Sequence, residues 1–168
     1  MKKLFKWWKT GKDKPFLSDE SQIKTLFNYK RNSVLWSVVL GYGIFYIGRL
    51  TISVAKKPMM DAGILDATEL GIIGALLFYT YAFGKLTNGF LADRANIAKF
   101  MSTGLGVSAV VNLIFGFTTT FWGFAILWAI NGWFQSMGSA PAVVSVTQWF
   151  SSKERGTYYG IWAASHNI

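Results

Sequence analysis

The chain has 168 residues, 52% of them hydrophobic and 17% aromatic, with 17 glycines, three prolines and no cysteine. That apolar fraction is high for a soluble domain, and its clustering into runs of roughly 17–25 residues matches the length needed to cross hydrocarbon as a helix. The absence of cysteine excludes a disulfide framework and a thiolate metal site. The net charge of +9 invites a nucleic-acid reading, but its distribution argues against one. Nine basic residues lie in 1–32, and Arg94, Lys99, Lys153 and Arg155 fall in alternate loops. If the apolar runs cross a membrane in turn, all thirteen share one side, and the opposite side keeps only Lys56 and Lys57. The positive-inside rule then places the N-terminus in the cytoplasm.

In chain order, residues 1–32 form a basic tail, which opens MKKLFKWWKTGKDK. It lacks the apolar core and cleavage site of a signal peptide. Lysines interleaved with Phe5, Trp7 and Trp8 fit a segment lying on an anionic leaflet, and fit a disordered basic tail equally well. The expected spans are 33–55, 70–92, 99–117 and 121–146, with a fifth beginning near 157 and cut short at Ile168. Such a run carries no terminator, so the chain reads as part of a longer polytopic protein.

Between the first two spans, Pro58 and Gly63 argue against a continuous helix, and Thr68 is the expected N-cap of the second. The third and fourth spans are joined by little more than Thr118, Thr119 and Thr120, which requires a tight antiparallel hairpin. Pro141 is compatible with a kink or with helix termination. The link 147–156 is amphipathic, with Trp149 and Phe150 at interfacial depth. Glycines inside the spans (Gly41, Gly43, Gly48, Gly71, Gly74, Gly104, Gly106, Gly132, Gly138) are expected to let helix backbones approach.

Two cations lie inside the apolar runs: Arg49 in the first and Lys85 in the second, with no acidic residue in either. A charge near the bilayer centre costs roughly 2.5–3.5 kcal/mol on insertion scales, so such residues mark pathways or bound ions. Tyr42, Tyr46 and Arg49 are spaced by four and three residues, which puts them on one helix face. Tyr81, Lys85 and Asn88 repeat the spacing on the second helix. A guanidinium offers a phosphate two parallel hydrogen bonds, and an ammonium adds undirected charge. The competing reading is snorkelling, since Arg49 lies near the outer end of its span and Lys85 nearer the inner end of its own. His166 is the single histidine, and alone on an apolar helix it reads first as a packed residue. No phosphate-binding loop, metal-ligand cluster or nucleophile–base pair is present, so an enzyme is not expected.

The segment GFLADR (89–94), followed by Lys99, resembles the signature loop between the second and third helices of the major facilitator superfamily, roughly G-x-L-(A/S)-D-R-x-G-(R/K)-(R/K). GYGIFYIGRL (41–50), YAFGKLTNGFLADRAN (81–96), NGWFQSMGSAP (131–141) and WFSSKERGTYYGIWAASHN (149–167) resemble the organophosphate:phosphate antiporters within it. That family includes bacterial glycerol-3-phosphate and hexose-phosphate transporters and a glucose-6-phosphate sensor.

The resemblance implies an all-α membrane protein, here the N-terminal part of a twelve-helix fold with four complete spans and a truncated fifth, in which residues 33–168 belong to the first six-helix half. It implies that Arg49 binds the substrate phosphate, completed by an arginine of the missing C-terminal half. Lys85 and His166 belong to the same site, lined by Tyr42, Tyr46 and Tyr81. Asp93 and Arg94 belong to the loop that latches the halves during alternating access. Three positions depart from the pattern: Asn96 replaces a glycine, Leu50 stands where the glycerol-3-phosphate carrier has lysine, and Val144 where close relatives carry arginine.

The expected function is therefore a bacterial inner-membrane carrier exchanging a phosphorylated sugar or glycerol phosphate for inorganic phosphate, with no cofactor, metal or nucleic-acid partner. The alternatives are a sugar-phosphate sensor of the same fold signalling to a membrane histidine kinase, or a carrier of another anion.

Overall fold

The computed structural model describes residues 6–12 and 15–165, and the described elements are helical. There are five: α1 (Glu20–Asp61), α2 (Ala67–Ala92), α3 (Ile97–Phe115), α4 (Phe121–Trp149) and α5 (Arg155–Ala164). α1, α2 and α3 are long and apolar enough to cross a membrane by length and composition. α4, with 29 residues, is long enough too, but it buries a polar stripe of Asn131, Gln135, Ser136, Ser139 and Ser145.

α1 departs from expectation at both ends. It begins at Glu20, thirteen residues into what reads as tail, where the Asp19 side chain accepts from the Ser21 N–H at 2.9 Å. At the other end it runs through Pro58 to Asp61. Proline forfeits a single helix donor and its fixed φ is itself helical. Termination falls instead to Gly63, at φ 66°. The Ile64 N–H reaches back to the Met59 carbonyl and the Gly63 N–H to the Met60 carbonyl, each at 3.0 Å. This is the paired closure that a left-handed residue after a helix makes possible.

α2 is capped by Asp66, not Thr68. The Glu69 N–H donates to Asp66 Oδ1 at 2.7 Å, and the Asp66 N–H donates to Glu69 Oε2 at 2.9 Å. A reciprocal box needs an acid or amide three residues after the cap. Asp66 has Glu69 there, whereas Thr68 would have Gly71. Asn96 caps α3 by accepting from the Lys99 N–H at 3.1 Å, which gives that departure from the family pattern a local role. The turn between α3 and α4 is as tight as expected, with Thr120 capping α4. α4 passes through Pro141 and ends at Trp149, where Phe150 is buried.

α4 is the centre of the bundle, packed most extensively on α2 and then on α3. Glycines make these crossings possible. A Cβ on Gly132 would overlap Thr80 Oγ1 and the Leu77 carbonyl of α2, and one on Gly84 would overlap Ser136 Oγ. Gly104 faces Met137 and the Phe134 carbonyl, and Gly138 faces the Phe45 ring. Gly71, Gly74 and Gly106, expected to pack likewise, face open space. One apolar cluster joins Ile73, Leu77, Phe115, Phe124 and Trp128 near the α3–α4 turn; another joins Leu35, Val39, Tyr42, Val146, Phe150 and Trp162.

Candidate anion site

The spacing of Tyr42, Tyr46 and Arg49 puts them on one face of α1, and Tyr42 and Arg49 meet Tyr81 of α2. The Tyr42 and Tyr81 hydroxyls lie 3.2 Å apart and share a hydrogen bond. The Arg49 guanidinium carbon sits 4.3 Å from the centre of the Tyr81 ring and 5.6 Å from that of Tyr46. Lys85 Nζ lies 5.1 Å from the same Tyr81 ring. One aromatic ring thus lies within reach of both cations, and a ring quadrupole attracts positive charge within about 6 Å. Tyr42 is buried, Tyr46, Tyr81 and Arg49 are partly buried, and Lys85 is exposed.

The electrostatics of Arg49 are unbalanced. Its Nε and Nη2 atoms are buried and have no hydrogen-bond partner. These two donors lie along one edge of the guanidinium, the edge that meets two oxygens of a single anion. Arginine does not relieve the cost by losing its proton, and a buried unmade hydrogen bond costs about 1–3 kcal/mol, more when the donor is charged. Among the described residues the ion pairs are Arg31 with Glu154 and Lys57 with Asp61, so no carboxylate neutralises Arg49 or Lys85. Tyrosine rings soften the charge while Nε and Nη2 stay without a hydrogen-bond partner.

Asn88, on the same α2 stripe by spacing, is not part of this constellation. It turns into the bundle and donates to Ser136 Oγ at 2.6 Å and to the Trp133 carbonyl at 3.3 Å. His166 lies outside the described residues. Asp93 forms the C-cap of α2, and Arg94 is exposed in the following turn, away from the Arg49 cluster.

Sequence reasoning missed a buried polar group behind Arg49. Ser108 Oγ donates to Asn131 Oδ1 at 2.6 Å, Gln135 Nε2 donates to Ser108 Oγ at 2.9 Å, and Asn112 Nδ2 donates to the Ser108 carbonyl at 2.9 Å. Gly48 lies against it: a Cβ there would sit 3.4 Å from Gln135 Nε2 and 3.6 Å from Asn112 Nδ2. The signal was present, since Ser108 and Asn112, and Asn131 and Gln135, are each four residues apart on apolar helices. This network packs against α1 at Gly48, the residue preceding Arg49. Among the described residues there is no cluster of three or more His, Cys, Asp or Glu side chains able to hold a metal ion.

A helical bundle with long apolar helices and, on its first two, an arginine and a lysine without a carboxylate partner among the described residues has the character of a multi-pass membrane protein. The chain belongs to the Major Facilitator Superfamily, whose family model matches residues 38–168. It is 34% identical over 165 residues to the membrane sensor protein UhpC of Salmonella typhimurium, covering 98% of this chain and 37% of that protein. It is 38% identical over 153 residues to a probable hexose phosphate transport protein of Chlamydia trachomatis, covering 90% and 33%. A glycerol-3-phosphate transporter of Bacillus subtilis is 35% identical over 154 residues, covering 89% and 34%. These relatives are those of the organophosphate:phosphate antiporter family. The chain spans about a third of their length. A crystal structure of a bacterial homolog of the human lysosomal transporter Spinster superposes with a TM-score of 0.75 at 21% identity, covering 82% of this chain and 29% of that one, which shows the shared fold.

Proposed function

We propose that the complete protein carries a phosphorylated sugar or glycerol phosphate across the bacterial inner membrane in exchange for inorganic phosphate, with its N-terminus in the cytoplasm. The observation that carries this reading is the pair of buried, unpartnered donors on Arg49. Their shared edge matches two oxygens of a phosphate, and the tyrosines around them supply apolar walls with hydroxyl tips.

In this mechanism Arg49 holds the phosphate by two hydrogen bonds, and Lys85 adds charge from the rim of the site. Tyr42 and Tyr81 orient each other through their shared bond and keep the guanidinium on the ring face. His166 joins the site from the fifth helix, and the missing half supplies a second arginine. A phosphate drives the transition only if it binds one arrangement of the two halves more tightly than the other. Asp93 and Arg94, on the loop after α2, latch and release those halves. No covalent step on the substrate is required.

Arg49→Lys in the complete protein is expected to abolish most uptake of radiolabelled glucose 6-phosphate into phosphate-loaded proteoliposomes, because a point charge does not replace a bidentate fork. Uptake within twofold of the parent would remove Arg49 from the site.

A second reading rests on the similarity to a membrane sensor across 98% of the chain. A receptor keeps the same anion site but translates occupancy into signalling to a membrane histidine kinase. Phosphate exchange by the complete protein separates the two: a carrier exchanges, whereas a pure receptor binds without net exchange.

A further inference from the structure

Near the N-terminus, Trp8 packs onto the bundle. The Trp8 carbonyl accepts from the Asn96 N–H at 2.6 Å, and Trp8 Nε1 donates to Thr103 Oγ1 at 3.2 Å. Its ring meets Phe100 edge-on with centroids 5.0 Å apart. Backbone, side-chain nitrogen and ring are thus all engaged at the start of α3. The contact sets the next residue, Lys9, across from Arg94, and the two frame a cavity of about 260 Å³ with Trp8, Phe90, Leu91 and Ala95. Lys99 Nζ lies 4.9 Å from the Trp7 ring, which is 57% exposed.

Charge and position point to one class of ligand. Across residues 6–12 and 90–99 there are five cations, Lys6, Lys9, Lys12, Arg94 and Lys99, and a single acid, Asp93. Among the described residues none of these cations is in an ion pair. The cavity lies where α2 ends and α3 begins, at the boundary of two membrane-spanning helices. Exposed Phe90 continues its wall on the apolar side. Exposed tryptophan beside clustered lysine is the composition of a segment that lies among lipid headgroups.

We propose that the cavity between Lys9 and Arg94 binds the phosphate of an anionic membrane phospholipid, with Trp7 in the headgroup layer and the acyl chains along Phe90. A soluble phosphate ion shares the charge but gains nothing from Trp7 or Phe90. The site lies at the membrane face that carries the N-terminus, apart from Arg49, and does not depend on what the carrier moves.

The test is native mass spectrometry of the complete protein titrated with phosphatidylglycerol or with phosphatidylcholine of the same acyl chains. Phosphatidylglycerol is expected to bind preferentially, and Lys9→Gln with Arg94→Gln to weaken it roughly twenty-fivefold, since each cation near an anionic surface contributes about fivefold. Lys57→Gln, on a residue paired with Asp61 on another loop, is expected to leave binding unchanged. In vesicles of brominated phosphatidylglycerol, wild-type fluorescence is expected to be quenched more than that of Trp7→Phe, a replacement at an exposed ring. Equal binding of the two lipids, parental affinity in the double variant, equal quenching without Trp7, or displacement of the lipid by equimolar inorganic phosphate would each overturn the proposal.

Discussion

Tyr81 shares a helix face with Lys85 by spacing, but its meeting with Arg49 is not visible in the sequence. Its ring lies within cation–π distance of both Arg49 and Lys85, and its hydroxyl bonds to Tyr42. These two roles separate by substitution. Tyr81→Phe keeps the ring and loses one hydrogen bond, worth about 0.5–1.5 kcal/mol, so uptake of phosphate ester is expected to fall by roughly two- to tenfold. Tyr81→Leu removes the surface that holds both cations as well, and is expected to fall well below Tyr81→Phe. Apparent KM and maximal rate in proteoliposomes check the order; equal losses would mean that the ring face does no work. That Arg49 shares a face with Tyr42 and Tyr46 was legible from spacing, because three and four residues return a helix to the same face. Asn88 obeys the same spacing yet turns inward, because a hydroxyl and a carbonyl on α4 stand within its reach.

At the scale of the element, helix ends were harder to read than helix middles. Gly63 and not Pro58 terminates α1, because only glycine readily adopts the left-handed conformation that closes the last turn. Asp66 and not Thr68 starts α2, because the cap acts with the residue three positions later. Asp66→Ala is therefore expected to cost about 1 kcal/mol. Thr68→Ala, within the helix, is expected to be near neutral. Thermal unfolding of the purified protein in detergent checks the contrast, and the reverse order would restore Thr68 as the cap. The early start of α1 brings Arg31 to Glu154, which it meets through two contacts of 3.1 and 3.3 Å, while also donating to Tyr158 at 2.8 Å. Glu154 is 43% exposed, so solvent screens much of this charge pairing. A double-mutant cycle of Arg31→Ala and Glu154→Ala is expected to give a coupling of about 0.5–1 kcal/mol. A coupling of zero would make the pair incidental.

Across the whole molecule, the seam between α2 and α4 decides the architecture, and the sequence marked its residues only in part. The nine glycines singled out in the apolar runs were equal candidates for close packing, but Gly132 is pressed against the α2 backbone while Gly71 faces nothing, and Gly84, not among them, is packed against Ser136. Gly132→Val is expected to destabilise the bundle by about 1–3 kcal/mol through overpacking. Gly71→Ala is expected to be neutral or slightly stabilising, since alanine is the better helix former where there is room. Melting temperatures of the two variants in one detergent test this, and a tolerated valine at 132 would contradict the packing of α2 on α4.

The sequence by itself determined the all-helical class, the tight α3–α4 turn, the membership of the superfamily and the sharing of one helix face by Tyr42, Tyr46 and Arg49. All of these follow from apolar run length, period and motif, which are properties of one segment at a time. Only the tertiary structure decided that Arg49 and Lys85 meet at Tyr81, that Gly48 rests on a buried amide network, and that Trp8 folds back onto α3. Each of these depends on the rotation and depth of one helix relative to another. Those quantities are set by which small residues allow contact and which polar groups find partners, and no single segment encodes them.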